Sequence, residues 1–140
     1  MKTKDFNRFQ GCLFGGACGD ALGYTVEFMN IEQIREMYGP AGLTTIQLTN
    51  GKAIVSDDTQ LTLFTANGLL SASANERFKH SHRPIRHYLH DAYLDWHATQ
   101  RHAAGSYNHV HSWLYNAPAM HSVRAPGGTC LRALSSGIIG

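Results

Sequence analysis

Four glycines recur at every fourth position near the start of the chain, and this spacing constrains the fold more than any other feature. They lie within residues 5–23, where the apolar residues also follow helical spacing, so the pattern predicts a helix with glycines along one side. Each glycine costs a helix about 1 kcal/mol relative to alanine. We expect close approach of another backbone along this stripe, and a ligand that needs bare backbone is the alternative. The stripe consists of Gly11, Gly15, Gly19 and Gly23.

Helical spacing continues through the rest of the chain, and no segment shows the alternation of a strand. The sequence therefore predicts an all-α fold with five or six helices. Residues 40–55 are expected to be irregular, with a short extended piece at Leu43, Ile46 and Leu48, and Gly68 interrupts an apolar face without an evident role. Further helices are expected over 31–38, from Asp57 onward with Ser56 as N-cap, from Pro84 to about Trp96, and from about Cys130 onward. A short helical turn is expected over 111–115. Residues 71–83 are expected to form a polar link, and residues 101–110 a loop.

Composition limits the possible partners. The 140 residues allow one domain, and a hydrophobic share of 43% does not suggest disorder. A net charge of +2 without a clustered basic face argues against nucleic acid, and no apolar stretch reaches the roughly 18 residues of a membrane span. A cytoplasmic location is expected. Three cysteines allow no dense disulfide framework, and Cys12, Cys18 and Cys130 are expected to be small buried hydrophobes.

Charged residues make up only 16% of the chain, against a typical share of about 25%. Either much of the surface is neutral and polar, or part of it is covered by something else. The nine histidines include no HExxH pair and no converging set of four zinc ligands, so we expect them to be solvated. His87 and Asp91 lie four residues apart on the polar side of one predicted helix.

The most specific element of the sequence is the run Ser56-Asp57-Asp58-Thr59 at a predicted helix start. The structural interpretation is an N-cap with acids favoured by the helix dipole. However, one cap needs one oxygen, and two adjacent carboxylates repel each other. A hard cation such as Mg²⁺, which takes oxygen ligands, would remove that repulsion. Both interpretations stay open on spacing alone.

Two weaker elements carry further candidate residues. Gly19-Asp20-Ala-Leu-Gly23 is followed by Glu27, which on its own reads as a surface acid. A glycine-containing loop over residues 124–129 opens the last predicted helix. Such a loop exposes backbone N–H groups to an anion, although most loops of this composition are only turns.

These elements occur in one order along the chain, and together they resemble the ADP-ribosylglycohydrolase family. The resemblance covers roughly residues 8–136, and its specific parts are the glycine-rich opening and the Ser-Asp-Asp-Thr run. It implies an orthogonal helical bundle and hydrolysis of the bond that joins ADP-ribose to a protein or another acceptor. It also implies two Mg²⁺ ions, or Mn²⁺ in their place, and ADP-ribose or an ADP-ribosylated protein as ligand.

The resemblance also assigns roles to individual residues. Ser56, Asp57 and Asp58 match the family's first group of metal ligands, and Glu27 matches a glutamate that activates water. The loop residues Gly127, Gly128 and Thr129 match a segment near the bound ADP-ribose. Asp20 matches a motif position for which we expect a structural role.

One family element has no counterpart in this sequence. The family carries a second acidic cluster, Asp-x-Asp-Thr, near its C-terminus, and these 140 residues contain none. We therefore expect residues 1–140 to be the N-terminal portion of a single, apparently truncated domain, completed by its missing C-terminal half or by a partner chain. The covered surface suggested by the low charge fits this expectation. A non-catalytic relative that binds ADP-ribose, or a structural, crystallin-like one, is the alternative function.

Overall fold

The computed structural model describes residues 3–79, 83–102, 106–108 and 110–139. The regular secondary structure of the described part is almost entirely helical, which confirms the all-α prediction. Contacts divide the chain into two compact units with the boundary between Thr59 and Gln60. In chain order the elements are α1 (Thr3–Tyr24), α2 (Ile31–Tyr38), β1 (Leu48–Thr49), β2 (Lys52–Ala53), α3 (Asp57–Lys79), α4 (Ile85–Thr99), two 3-10 helices (Trp113–Asn116 and Pro118–His121) and α5 (Gly128–Ser135).

Helix α2 of the first unit has the predicted bounds because local sequence signals fix both its start and its end. The side chain of Asn30 accepts a hydrogen bond from the Gln33 backbone N–H, and the Asn30 N–H donates to the Gln33 side chain, each over 2.9 Å. This reciprocal pair is a capping box. At the other end, Gly39 adopts a φ of 83°, which favours glycine and ends the helix.

A small hairpin follows α2, in a segment whose composition predicts mainly irregular structure. Strands β1 and β2 pair antiparallel, with Leu48 opposite Ala53. The two residues between them, Asn50 and Gly51, have φ values of 51° and 74°. Asn-Gly readily adopts this left-handed pair of conformations, which matches the twist of a two-residue hairpin. The short extended piece expected at Leu43, Ile46 and Leu48 is confirmed only at Leu48. The pairing of two strands was not predicted, and the Asn-Gly pair was the available signal.

Helix α1 confirms the predicted helix over 5–23, but its glycine stripe does not pack as expected. In the described part of the chain, no atom outside the helix's own backbone lies within 4 Å of the position that a Cβ would take at any of the four stripe glycines. The helix is exposed along much of its length, and the exposed fractions of Phe9 and Phe14 are both 64%. Cys12 and Cys18 are exposed thiols, as is Cys130 in α5, so the prediction of buried cysteines was wrong.

The second unit has a core between helices α3 and α4. Phe64 and Trp96, both fully buried, pack with Ala92 and Leu114. Partly buried apolar side chains surround this cluster: Leu61, Leu63, Tyr93, Met120, Leu131 and Leu134.

A buried glutamine joins three parts of this unit by hydrogen bonds. The Gln60 side chain is 1% exposed, and its oxygen accepts from Trp96 Nε1 at 3.1 Å and from Gln100 Nε2 at 3.3 Å. Its Nε2 donates to the backbone oxygen of Ser122 at 2.9 Å. Gln60 thereby connects α3 to α4 and to the segment that precedes α5.

The glycine that permits close packing is Gly68 in α3. A Cβ at this position would lie 3.0 Å from the backbone oxygen of Tyr88 and 3.1 Å from Leu89 Cα. Because both atoms belong to the α4 backbone, the contact could be relieved only by moving one helix. The sequence pattern marked this glycine as an interruption, whereas the structure uses it for helix–helix contact.

Helix α3 also continues to Lys79, through most of the predicted polar link over 71–83. No glycine or proline occurs between Leu69 and Lys79, so nothing in the local sequence stops the helix. Asn75 donates a hydrogen bond to the Ser71 carbonyl at 2.9 Å within it. Among the described residues, no helix is both long enough and apolar enough to cross a membrane.

Replacement of Gly68 by alanine is expected to lower the free energy of unfolding by about 1–3 kcal/mol, since the added methyl group overpacks the α3–α4 contact. The matched variant Gly15→Ala is expected to raise it by up to about 1 kcal/mol, since helix propensity improves and the site is open. Urea unfolding followed by circular dichroism measures both values. Destabilisation by Gly15→Ala would show that the stripe does pack against a backbone.

Replacement of Gln60 by alanine is expected to lower the free energy of unfolding by about 2–4 kcal/mol, because Trp96 Nε1 and the Ser122 carbonyl lose their buried partner. Thr62→Ala is the control, since Thr62 is an exposed residue of the same helix. It should change the free energy by no more than about 0.5 kcal/mol. Equal effects of the two variants in the same urea titration would contradict a central role for Gln60.

Candidate active site

The first turn of α3 carries the predicted metal ligands. The helix begins at Asp57, and the Ser56 hydroxyl accepts a hydrogen bond from the Asp58 N–H at 3.1 Å, which confirms Ser56 as its N-cap. Ser56 is 4% exposed and Asp57 is 8% exposed, while Asp58 is exposed. Two carboxylates thus lie at the positive end of a helix dipole, one of them in a largely buried position.

Asp20 of α1, which is distant in the sequence, forms hydrogen bonds with this turn. Its Oδ2 accepts hydrogen bonds from the Ser56 N–H at 2.9 Å and from the Thr59 N–H at 3.2 Å. The Thr59 hydroxyl donates to the same oxygen. The structural role expected for Asp20 agrees with these contacts.

Glu27 lies in the turn that follows α1, where its N–H donates to the Tyr24 carbonyl at 3.4 Å, and its side chain is exposed. Over the described residues, no three His, Cys, Asp or Glu side chains converge as a metal site would require. The structure therefore does not gather Glu27 with Asp57 and Asp58 around one point. Its role at a metal centre stays a prediction.

The chemistry of the α3 turn nevertheless fits one side of a site for a hard cation. Ser56, Asp57 and Asp58 offer one hydroxyl and two carboxylates, all oxygen donors. Mg²⁺ is usually bound through one or two protein carboxylates, with water and substrate oxygens completing its octahedral shell. The turn can supply such a share of the ligands, and further ligands have to come from elsewhere.

The predicted substrate loop lies in the second unit and opens helix α5. The helix begins at Gly128, two residues before the predicted start, and Gly127 at its N-cap provides no side-chain cap. No acidic residue occupies the first turn, and Gly127, Gly128 and Thr129 are all exposed. Backbone N–H groups at such a start attract anions.

A polar cavity that no sequence pattern indicated lies beside α3 and α4 of the second unit, with a volume of about 340 Å³. On its wall, Asp91 Oδ2 lies 2.5 Å from Arg83 Nη1 and 3.9 Å from His111 Nδ1. Burial by itself raises the pKa of Asp91, but the hydrogen bond from Arg83 and the charges of His111 and Arg83 outweigh it, so the pKa is lowered. Asp91 thus pairs with residues outside its own helix, which its spacing from His87 did not reveal.

The histidines are less uniformly solvated than the sequence suggested. His121 Nε2 lies 2.6 Å from the Tyr115 carbonyl, and His97 Nε2 lies 3.2 Å from the Ser135 hydroxyl. Burial is the main cause that lowers the pKa of His97. Three other histidines, His80, His82 and His109, lie outside the described residues.

A family model described as ADP-ribosylglycohydrolase matches residues 1–138, nearly the whole chain. No curated protein and no solved structure matches the chain significantly. The family match supports hydrolase activity of the ADP-ribosylglycohydrolase type, and the all-α architecture and the α3 turn agree with it. The chain belongs to the ADP-ribosylglycohydrolase family.

Proposed function

We propose that this protein takes part in the Mg²⁺-dependent hydrolysis of the glycosidic bond between ADP-ribose and an acceptor. The observation that carries the proposal is the first turn of α3, where Ser56, Asp57 and Asp58 present three oxygen donors on one short stretch of backbone. The family match supplies the reaction class. Mn²⁺ could occupy the same oxygen ligands.

In this proposal the side chains of Ser56, Asp57 and Asp58 hold the metal. When bound, a divalent cation would orient the ribose hydroxyls and a water molecule beside the anomeric carbon. The bond from the anomeric carbon to the acceptor breaks, and the water oxygen forms the new bond to that carbon. Nearby carboxylates stabilise the positive charge that develops on the ribose in between.

Glu27 acts as the general base in this reaction. Its carboxylate accepts a proton from the attacking water, and the departing acceptor takes up a proton. The exposed position of Glu27 after α1 allows access by solvent and substrate.

Gly127, Gly128 and Thr129 bind the diphosphate of ADP-ribose. The absence of an acidic residue and of a side-chain cap at the start of α5 leaves the positive end of this helix suited to an anion. The glycines add no side chains that would keep the phosphates away from the backbone. We propose ADP-ribose or an ADP-ribosylated protein as ligand and a cytoplasmic location, with no nucleic-acid or membrane partner.

The metal shell is completed by a second acidic cluster from a C-terminal half or from a partner chain. One turn supplies only part of an octahedral shell, and among the described residues no three His, Cys, Asp or Glu side chains group together as a metal site would require. Substrate oxygens and water take the remaining positions.

Isothermal titration of ADP-ribose into the chain, with and without Mg²⁺, tests the proposal. We expect ADP-ribose binding to depend on Mg²⁺, and we expect Asp57→Ala to remove it. In an enzyme completed by the second acidic cluster, the same substitution should abolish hydrolysis. Glu32→Ala is the matched control, because it removes an acid from the first turn of another helix in the same unit. Binding without metal dependence would favour a non-catalytic relative, and absence of any binding would favour a structural protein.

A further inference from the structure

We propose that Asp20 is a positioning residue for the metal-binding turn: its carboxylate, on α1, sets the backbone from which Ser56, Asp57 and Asp58 present their oxygens. The inference rests on the proposed function, and it adds a residue that no part of that proposal uses. Asp20 Oδ2 accepts hydrogen bonds from the Ser56 N–H, the Thr59 N–H and the Thr59 hydroxyl.

These contacts satisfy the N–H groups that a helix start leaves without partners. Ser56 is the N-cap, and its hydroxyl accepts from the N–H of the second helical residue, Asp58. Asp20 accepts from the third helical N–H, at Thr59, and from the N-cap N–H, at Ser56. Two acceptors, one local and one 36 to 39 residues away, therefore share the capping of this turn.

In a capping box, the side chain of the third helical residue accepts from the N-cap N–H, so the helix start is completed locally. Helix α2 of this protein shows that arrangement with Asn30 and Gln33. At α3 the third residue is Thr59, whose hydroxyl donates to Asp20 instead. The carboxylate of Asp20 is therefore the acceptor for the N-cap N–H, in place of a side chain from α3 itself. This hydrogen bond connects the turn to α1.

Asp20 thus supports the candidate ligands indirectly, through hydrogen bonds to the turn that carries them. Its three hydrogen bonds go to the residues on either side of Asp57 and Asp58, so they restrict the backbone that carries both carboxylates. Outer-shell partners of this kind typically change metal affinity on the order of 10–100-fold when they are removed. Asp20 is assigned a supporting role and not that of a ligand, because the contacts of its carboxylate are with the backbone and the hydroxyl group of the turn itself.

Mn²⁺ binding to the 140-residue chain, followed by the electron paramagnetic resonance signal of free Mn²⁺, tests the proposal without any substrate. Asp20→Ala should weaken Mn²⁺ binding on the order of 10–100-fold. Asp20→Asn should lose less, since its amide oxygen can accept the same hydrogen bonds. Thr59→Val removes one hydrogen bond and should weaken binding moderately, whereas Thr59→Ser, which keeps the hydroxyl, should not.

The matched control is Asn30→Ala, which also removes a helix cap in the first unit but does not touch the α3 turn. It should leave Mn²⁺ affinity unchanged at temperatures where circular dichroism shows each variant to be folded. If Asp20→Ala does not fold, the Thr59→Val and Thr59→Ser pair decides.

Each outcome separates this inference from the function on which it rests. Wild-type Mn²⁺ binding that is insensitive to Asp20→Ala and Thr59→Val overturns the positioning role alone. An equal loss of affinity in Asn30→Ala also overturns it, because the effect would then be one of general stability. No Mn²⁺ binding by the wild-type chain overturns the proposed metal site and this inference together.

Discussion

The buried side chain of Gln60 is the interaction on which the second unit depends. Its single amide group satisfies Trp96 in α4, the end of the same helix at Gln100, and the Ser122 carbonyl before α5. Each of these groups loses water on folding, and a buried polar group without a partner costs about 1–3 kcal/mol. The packing of Trp96 on Phe64 is possible because its indole N–H has this partner.

Helix α3 also begins with a polar arrangement of this kind, in which Asp20 meets the backbone of Ser56 and Thr59. Gln60 and Asp20 both form hydrogen bonds with residues at least 36 positions away in the sequence. Local hydrogen bonds, between Gln100 and Thr99 and between Asp58 and Ser56, accompany them. Neighbouring residues of the Ser-Asp-Asp-Thr-Gln run therefore have different roles. In our proposal Asp57 and Asp58 bind the metal, whereas Gln60, the glutamine that follows, forms hydrogen bonds in the core of the second unit. Family membership is shown for the chain, and the metal chemistry of this turn is our proposal.

How far the sequence predicted the structure depended on whether the cause was local. The bounds of α2 were predicted because Asn30, Gln33 and Gly39 all act within a few residues of the helix ends. The hairpin was missed although Asn50-Gly51 is also a local signal, because two-residue strands are too short to show alternation. The glycines were misjudged for another reason: periodicity marked the stripe on α1, whereas the tight backbone contact is made by Gly68. Only the position of a second helix distinguishes the two cases.

The sequence by itself determined the family, the helical architecture and the identity of the candidate ligands. Those properties follow from residue types, order and spacing along one chain. Tertiary structure decided which partners the polar residues meet: Asp20 with the α3 turn, Asp91 with Arg83 and His111, and Gln60 with Ser122. It also left the Glu27 side chain exposed. The physical reason is that a hydrogen bond or ion pair between distant residues depends on how helices pack, and side-chain identity alone does not specify that packing.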